Sequence, residues 1–230
     1  MSTPSEVAPP DIPERPSPPP VEHLVVLAHP GADSFCASIA RRWQQRTGKW
    51  HQVCRLRDLY ADGFDPVLRK NEQPGKPGFA PLAENVEEGR RLKALDVLVL
   101  VYPVWFGTPP AMLKGYIERV VGSDLVFGGT TPPAKPLAGV RLVQISTSAS
   151  TNSWLAEKGV SSALHTLYDD YLAEMFGAAH VHRQHLSAIS GGMTALHAGM
   201  QLSKVDELAD QVCAEANADR WQHERQARWS

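Results

Sequence analysis

The chain has 230 residues, 43% of them hydrophobic and 21% charged, with a formal net charge of −2. That is enough apolar content for one full core, and too little positive charge to neutralise a phosphate backbone, so nucleic-acid binding is not expected. The longest apolar run, about Val97 to Val104, is far too short to span a bilayer, and no basic start followed by an apolar block opens the chain, so neither membrane insertion nor export is expected.

Residues 1–20 hold eight of the nineteen prolines, mixed with Ser, Glu and Asp. Such a stretch buries too little apolar surface to offset its ordering entropy and reads as a disordered, proline-rich tail, with one folded domain over residues 21–230. "HLVVLA" is a continuous apolar run rich in β-branched residues, as expected of a parallel strand covered on both faces. From Ser34 the period changes: Phe35, Ile39 and Trp43 recur every four residues up to a stop at Gly48, so strand, tight turn and helix follow one another. Val53 to Leu59 alternates and predicts a second, more exposed strand. The polar connection "ADGFDPVLRKNEQPGKPGFAP" has glycines and prolines that argue against an embedded element.

"ENVEEGRRLKALD" predicts a helix leading into "VLVLVYPV", the most apolar strand. "PPAMLKGYIERVV" begins with proline in its first turn and places Met112, Leu113, Tyr116, Ile117 and Val120 on one stripe. "VRLVQIS" is a fourth buried strand. A helical stretch from about Trp154 to Phe176 precedes a fifth strand near Ala179 to Ile189, and Val205 to Asp219 predicts a final helix. Five strands alternating with helices imply an α/β fold: an open, doubly wound parallel sheet with helices on both faces. Such sheets bind ligands beyond the carboxyl ends of their strands, where the strand order reverses, so the loops after the first, third and fourth strands should meet.

The first of these loops, "AHPGADSF", suits an anion: Pro30 and Gly31 shape the turn, and Ser34 or Asp33 caps a helix whose free N–H groups point outward. A capped helix after the first strand is equally what any such fold contains. In the second loop, "YPVWFGTPP", the flat faces of Trp105 and Phe106 suit stacking on a planar ring, with plugging of the sheet's edge as the competing reading. In the third, "STSASTNSW", small hydroxyl residues let backbone N–H groups approach a ligand closely, as they would in an ordinary polar turn. Cys36, Cys54 and Cys213 are widely spaced without a C-x-x-C pair and fit thiols of a reducing, cytoplasmic compartment. Cys36 lies at a helix N-terminus, a place that favours a lowered thiol pKa, but packing or lining the turn is the preferred reading over a reactive thiol. His180, His182 and His185 in "HVHRQH" read as surface or supporting histidines, with no carboxylate or cysteine at matching spacing to complete a metal site.

Together, "VVLAHP…SF", "DLY…FDPVL" and "YPVWFGTPPAMLKGYIERV" resemble the flavodoxin-like NAD(P)H:quinone oxidoreductase family, which includes DT-diaphorase-like flavoproteins and bacterial regulators of potassium efflux. The resemblance covers about Val21 to Ser150. It implies a five-stranded sheet of order 2-1-3-4-5 and a bound flavin, FAD or alternatively FMN. His29, Ser34, Phe35 and Cys36 would hold its phosphate moiety, Pro103, Val104, Trp105 and Phe106 would line its ring, and Thr147, Ser148 and Ala149 would close over its pyrimidine side. Where the family often has T-T-G-G, this chain has Ser146, Thr147, Ser148 and Ala149. The implied activity is ping-pong hydride transfer: NAD(P)H reduces the flavin, and two electrons pass to a quinone or similar acceptor that touches Trp105, Phe106 and Trp154. No catalytic side chain is required, and a homodimer is expected. Two other readings stand beside it: a regulatory domain docking on a transporter or other protein, and an FMN-dependent azo or nitro reductase.

Overall fold

The computed structural model describes residues 19–73, 76–123 and 135–227; most of the expected proline-rich tail, residues 1–18, lies outside the described residues. Five parallel strands form one sheet in the order β2-β1-β3-β4-β5: β1 Glu22–Leu27, β2 Val53–Asp58, β3 Val97–Pro103, β4 Arg141–Thr147 and β5 His180–Leu186. The two-residue alternation of the strands separates two cores. Val26, Leu98, Leu100, Tyr102 and Leu142 point to one face and pack against Leu92, Leu113, Tyr116, Val120 and Phe176. Val25, Leu27, Val99, Val101, Val143 and Ile145 point to the other, against Ile39, Trp43, Val205, Ala209 and Val212. Every residue of β3 and β4 is buried, whereas edge strand β2 exposes Val53 and Leu56.

The first face is covered by α2 (Ala83–Leu92), by α3 (Ala111–Tyr116) with its π-helical continuation Ile117–Val121, and by a helical segment after β4. That segment consists of α4 (Asn152–Glu157), α5 (Val160–Leu164), a π-helical turn His165–Asp170 and α6 (Tyr171–Phe176). The helical stretch expected from about Trp154 to Phe176 is present but interrupted: Thr151 caps α4 by accepting from the Trp154 N–H at 3.3 Å, and Gly159, at φ +71°, breaks the run. The second face is covered by α1 (Phe35–Lys49) and α7 (Ala195–Ala227). The final helix is thus far longer than Val205 to Asp219. Its first turns expose Leu196 and Met200, so no apolar stripe marks them. Two arginine forks tie α1 to α7, Arg42 to Asp206 and Arg46 to Asp210, each pair one helical turn from the next.

Among its described residues the connection after β2 contains one short 3-10 turn, Lys70–Glu72, and is anchored by charge. Arg119, 1% exposed, forks onto Glu72, 2% exposed, with bonds of 2.9 and 2.7 Å, and also donates to the Asp65 carbonyl. Removing one partner of such a pair strands a buried charge. The "DLY…FDP" residues have local reasons as well. Asp58 Oδ1 accepts from the N–H groups of Tyr60 and Ala61, Leu59 and Phe64 enter the core, and Pro66 lies directly against Gly115 of α3. The connection after β2 is thereby held from the end of its strand to α3.

Candidate functional site

At the carboxyl ends of β1, β3 and β4 the three expected loops converge on one cleft of about 200 Å³. His29, Phe35 and Cys36 line it from the first loop, Pro103, Val104 and Trp105 from the second, and Thr147, Ser148 and Ala149 from the third; Ile189, after β5, closes it. Larger concavities exist, including an apolar groove of about 500 Å³ between Ile117 and Tyr171, but that groove lies on the flank of the sheet rather than at the strand ends.

The first wall is set by short hydrogen bonds. Ala28 N–H donates to the Val101 carbonyl at 2.9 Å, which carries the chain from β1 across the end of β3. Gly31 N–H then donates to His29 Nδ1 at 2.9 Å, and Ser34 N–H closes back on the Gly31 carbonyl at 3.1 Å. Ser34, not Asp33, caps α1: its Oγ accepts from Ala37 N–H at 3.1 Å. The N–H groups of Phe35 and Cys36, in the first turn of a 15-residue helix, have no intrahelical acceptor and form an anion-favouring end. Because His29 Nδ1 accepts, its proton sits on Nε2, and burial lowers its pKa, with Asp58 opposing. The neutral ring is therefore a donor.

Cys36 follows the packing reading rather than that of a lowered thiol pKa. Its sulfur packs into the second core beside Thr147 Oγ1 at 3.3 Å, and burial pushes the thiol up to about 11. Desolvation outweighs the helix end.

The second wall is a two-residue hairpin. Trp105 and Thr108 exchange N–H···O bonds of 2.9 and 3.1 Å, with Phe106 at φ +52° and Gly107 at φ +84°, a type I′ geometry. The bond from Val104 N–H to the Thr147 carbonyl, 2.7 Å, joins this wall to the third. Trp105 turns its indole to the His29 ring, centroids 5.8 Å apart, and stays 40% exposed. Phe106, at the tip of the turn, is fully exposed and does not line the cleft. Trp154 lies on α4, half exposed, and does not line it either. Nine of the expected residues are thus brought together, Ser34 serves as the cap, and Phe106 and Trp154 stand apart.

Ile189 was not foreseen, because the strand-end pattern places no emphasis on the loop after an edge strand. Of the histidines, His182 pairs with Glu215 at 3.1 Å, and His185 reaches under the third wall to Ser148. Among the described residues no group of three or more His, Cys, Asp or Glu side chains is arranged to hold a metal, and no helix is long and apolar enough to cross a membrane.

Comparison with known proteins bears on this arrangement. The family model for proteins of flavodoxin-like fold matches residues 22–209. A protein of Escherichia coli, strain K12, named an uncharacterized NAD(P)H oxidoreductase, YcaK, is 37% identical over 125 residues, covering 52% of this chain and 62% of its own. The NAD(P)H dehydrogenase [quinone] 1 of Rattus norvegicus is 27% identical over 165 residues, covering 63% of this chain and 59% of its own. The chain therefore spans about three fifths of the length of these curated relatives. Among solved structures, an NAD(P)H:quinone oxidoreductase from Methanothermobacter marburgensis superposes with a TM-score of 0.69 at 19% identity, over 83% of this chain and 96% of that one, a likeness of fold.

Proposed function

Since the chain belongs to the flavodoxin-like fold family, we propose that it is a flavin-dependent NAD(P)H oxidoreductase that passes two electrons from a nicotinamide to a quinone-like acceptor. The observation that carries this reading is the convergence of a helix N-terminus, an exposed indole face and a wall of small residues in one cleft at the point where strand order reverses. The names of the relatives, NAD(P)H oxidoreductase and NAD(P)H dehydrogenase [quinone], support the same chemistry.

The donor set fits a flavin nucleotide, FAD or FMN. The open N–H groups of Phe35 and Cys36, with the His29 Nε2–H beside them, suit the phosphate. The partly exposed Trp105 face suits a flat ring, and Thr147 to Ala149 offer backbone and hydroxyl groups without bulk. When bound, a flavin supplies the two-electron chemistry itself. The chain's own groups then bind and orient. The His29 ring is neutral and donates, the Cys36 thiol stays protonated, and Pro103 and Val104 exclude water from one side of the cleft. No ionised side chain lines the cleft among the described residues, so no acid or base of the protein is assigned to the transfer.

The purified protein should be yellow, and its visible absorbance should bleach on anaerobic addition of NADH or NADPH and return on addition of a quinone. Chromatography of the released cofactor names it, and comparison of quinone, azo and nitro acceptors separates the quinone reductase from its rivals. A colourless protein that retains neither FAD nor FMN overturns the proposal and leaves the regulatory reading. A homodimer in the cytoplasm belongs to the same reading and is checked by sedimentation and fractionation.

A further inference from the structure

The third wall of the cleft is held by a side chain from an edge strand. β5 pairs with β4 in a register that sets His185 opposite Ser146. Its ring lies between two hydroxyls of the neighbouring strand end: Nδ1 is 2.8 Å from Ser146 Oγ and Nε2 is 2.9 Å from Ser148 Oγ. Ser148 Oγ donates its one proton to the Ser150 carbonyl at 3.0 Å. It can therefore only accept from the ring, so Nε2 carries the proton and Nδ1 accepts from Ser146. Burial, with repulsion from Arg183, lowers the His185 pKa, in keeping with the neutral ring that this bonding demands.

The same short stretch is joined to the loop after β5 through its backbone. Ser148 N–H donates to the Leu186 carbonyl at 3.0 Å, Ile189 N–H to the Ser148 carbonyl at 2.8 Å, and Ala188 N–H to the Ser150 carbonyl at 3.0 Å. Ala188 holds φ +57° to make this possible, a conformation that persists only where the surroundings over-determine it. Ile189 and Ser148 both line the cleft, so the ring of His185 supports its third wall from outside, and Ile189 only through the Ser148 backbone, while lining none of it.

We propose that His185 is a positioning residue for the bound flavin, acting through the bond from Nε2 to Ser148 Oγ, which fixes Ser148 and Ala149 against the cleft. The inference rests on the flavin reading above. Two substitutions separate the donor from mere bulk. In His185→Gln the amide nitrogen falls near the position of imidazole Nε2 and keeps the donor to Ser148. In His185→Asn the amide oxygen falls near Nδ1 and keeps the acceptor for Ser146, but the side chain stops short of Ser148.

The experiment is titration of the stripped full-length protein with FMN and with FAD, followed by flavin fluorescence, for the natural chain and both variants. Hydrogen exchange across residues 186–190 of the flavin-free proteins runs alongside it. Loss of one neutral hydrogen bond predicts about tenfold weaker flavin binding for His185→Asn, with faster exchange at Ala188 and Ile189, while His185→Gln stays close to the natural chain in both. Equal binding and equal exchange in all three proteins overturn the inference alone, as does a His185→Gln variant as impaired as His185→Asn. A natural chain that binds neither flavin overturns the proposed function and this inference with it.

Discussion

Acidification should weaken the fold through one buried histidine far from the cleft. His23, on β1, is fully buried. Gln52 donates its amide to the Cys213 carbonyl at 3.0 Å and to Asn217 Oδ1 at 2.9 Å, so its oxygen is what faces His23 Nε2 at 2.7 Å. Nε2 must therefore donate, leaving Nδ1 to accept from the Trp43 indole N–H at 3.3 Å. A second proton would set N–H against N–H. Burial brings the His23 pKa down to about 4, with Gln52 and Asp96 opposing. The folded state thus prefers the neutral ring, and the unfolded chain takes up a proton near pH 6.5. Stability from this group is complete above pH 6.5, falls as pH drops towards 4, and is lost below it. The full loss is about 3 kcal/mol, of which about 2 kcal/mol is gone at pH 5. Urea unfolding followed by tryptophan fluorescence at pH 7.5 and pH 5 measures it, against His23→Asn, which keeps an acceptor for Trp43 and cannot titrate. The natural chain should lose about 2 kcal/mol more than the variant over that interval, a shift of roughly 1 M in the urea midpoint. Parallel losses in the two proteins would refute the reasoning.

Three further outcomes follow from local geometry. Gly115→Ala would place a Cβ 2.2 Å from the Pro66 carbonyl oxygen; urea unfolding should show a loss of about 2 to 3 kcal/mol, the upper range for overpacking. Phe106→Asn puts the residue that best tolerates φ +52° before Gly107, so the thermal midpoint should rise, by the equivalent of about 1 kcal/mol; an unchanged or lower midpoint counts against strain in that turn. Cys36, with its thiol near 11 and its sulfur buried, should resist iodoacetamide at pH 8 in the folded protein and react at once in urea, as read by mass spectrometry.

The sheet was legible because its central strands must be apolar on both faces, and the runs at Val25, Val97 and Val140 meet no other requirement. The cleft was legible for a related reason: at a switch point, three loops have to meet whatever their sequences, and nine of the expected residues do meet. What escaped was carried by partners distant in sequence. Nothing near Glu72 announces that Arg119, 47 positions on, is buried against it. Likewise α7 begins at Ala195 although its first turns show no amphipathic stripe, because Leu196 and Met200 stay exposed. Periodicity reports burial, and an exposed helical turn leaves no such trace.

The hydroxyl-rich end of β4 and the histidine that β5 sets beside it show why an edge strand can matter to a site it does not line. A central strand end is held by neighbours on both sides, as Val104 and Thr147 are joined by a 2.7 Å backbone bond. Beyond Thr147 that support ends on the β3 side, and the wall made by Ser148 and Ala149 depends on what β5 offers. Polar residues along "HVHRQHL" look like the outer face of an edge strand, and His180 and Arg183 are indeed exposed. His185 differs because its register sets it beside Ser146, where the two hydroxyls at alternate positions span one imidazole. A histidine one residue earlier on the strand would face the other side of the sheet. The function of that side chain is therefore fixed by the parity of its position as much as by its chemistry, which a pattern of composition alone does not resolve.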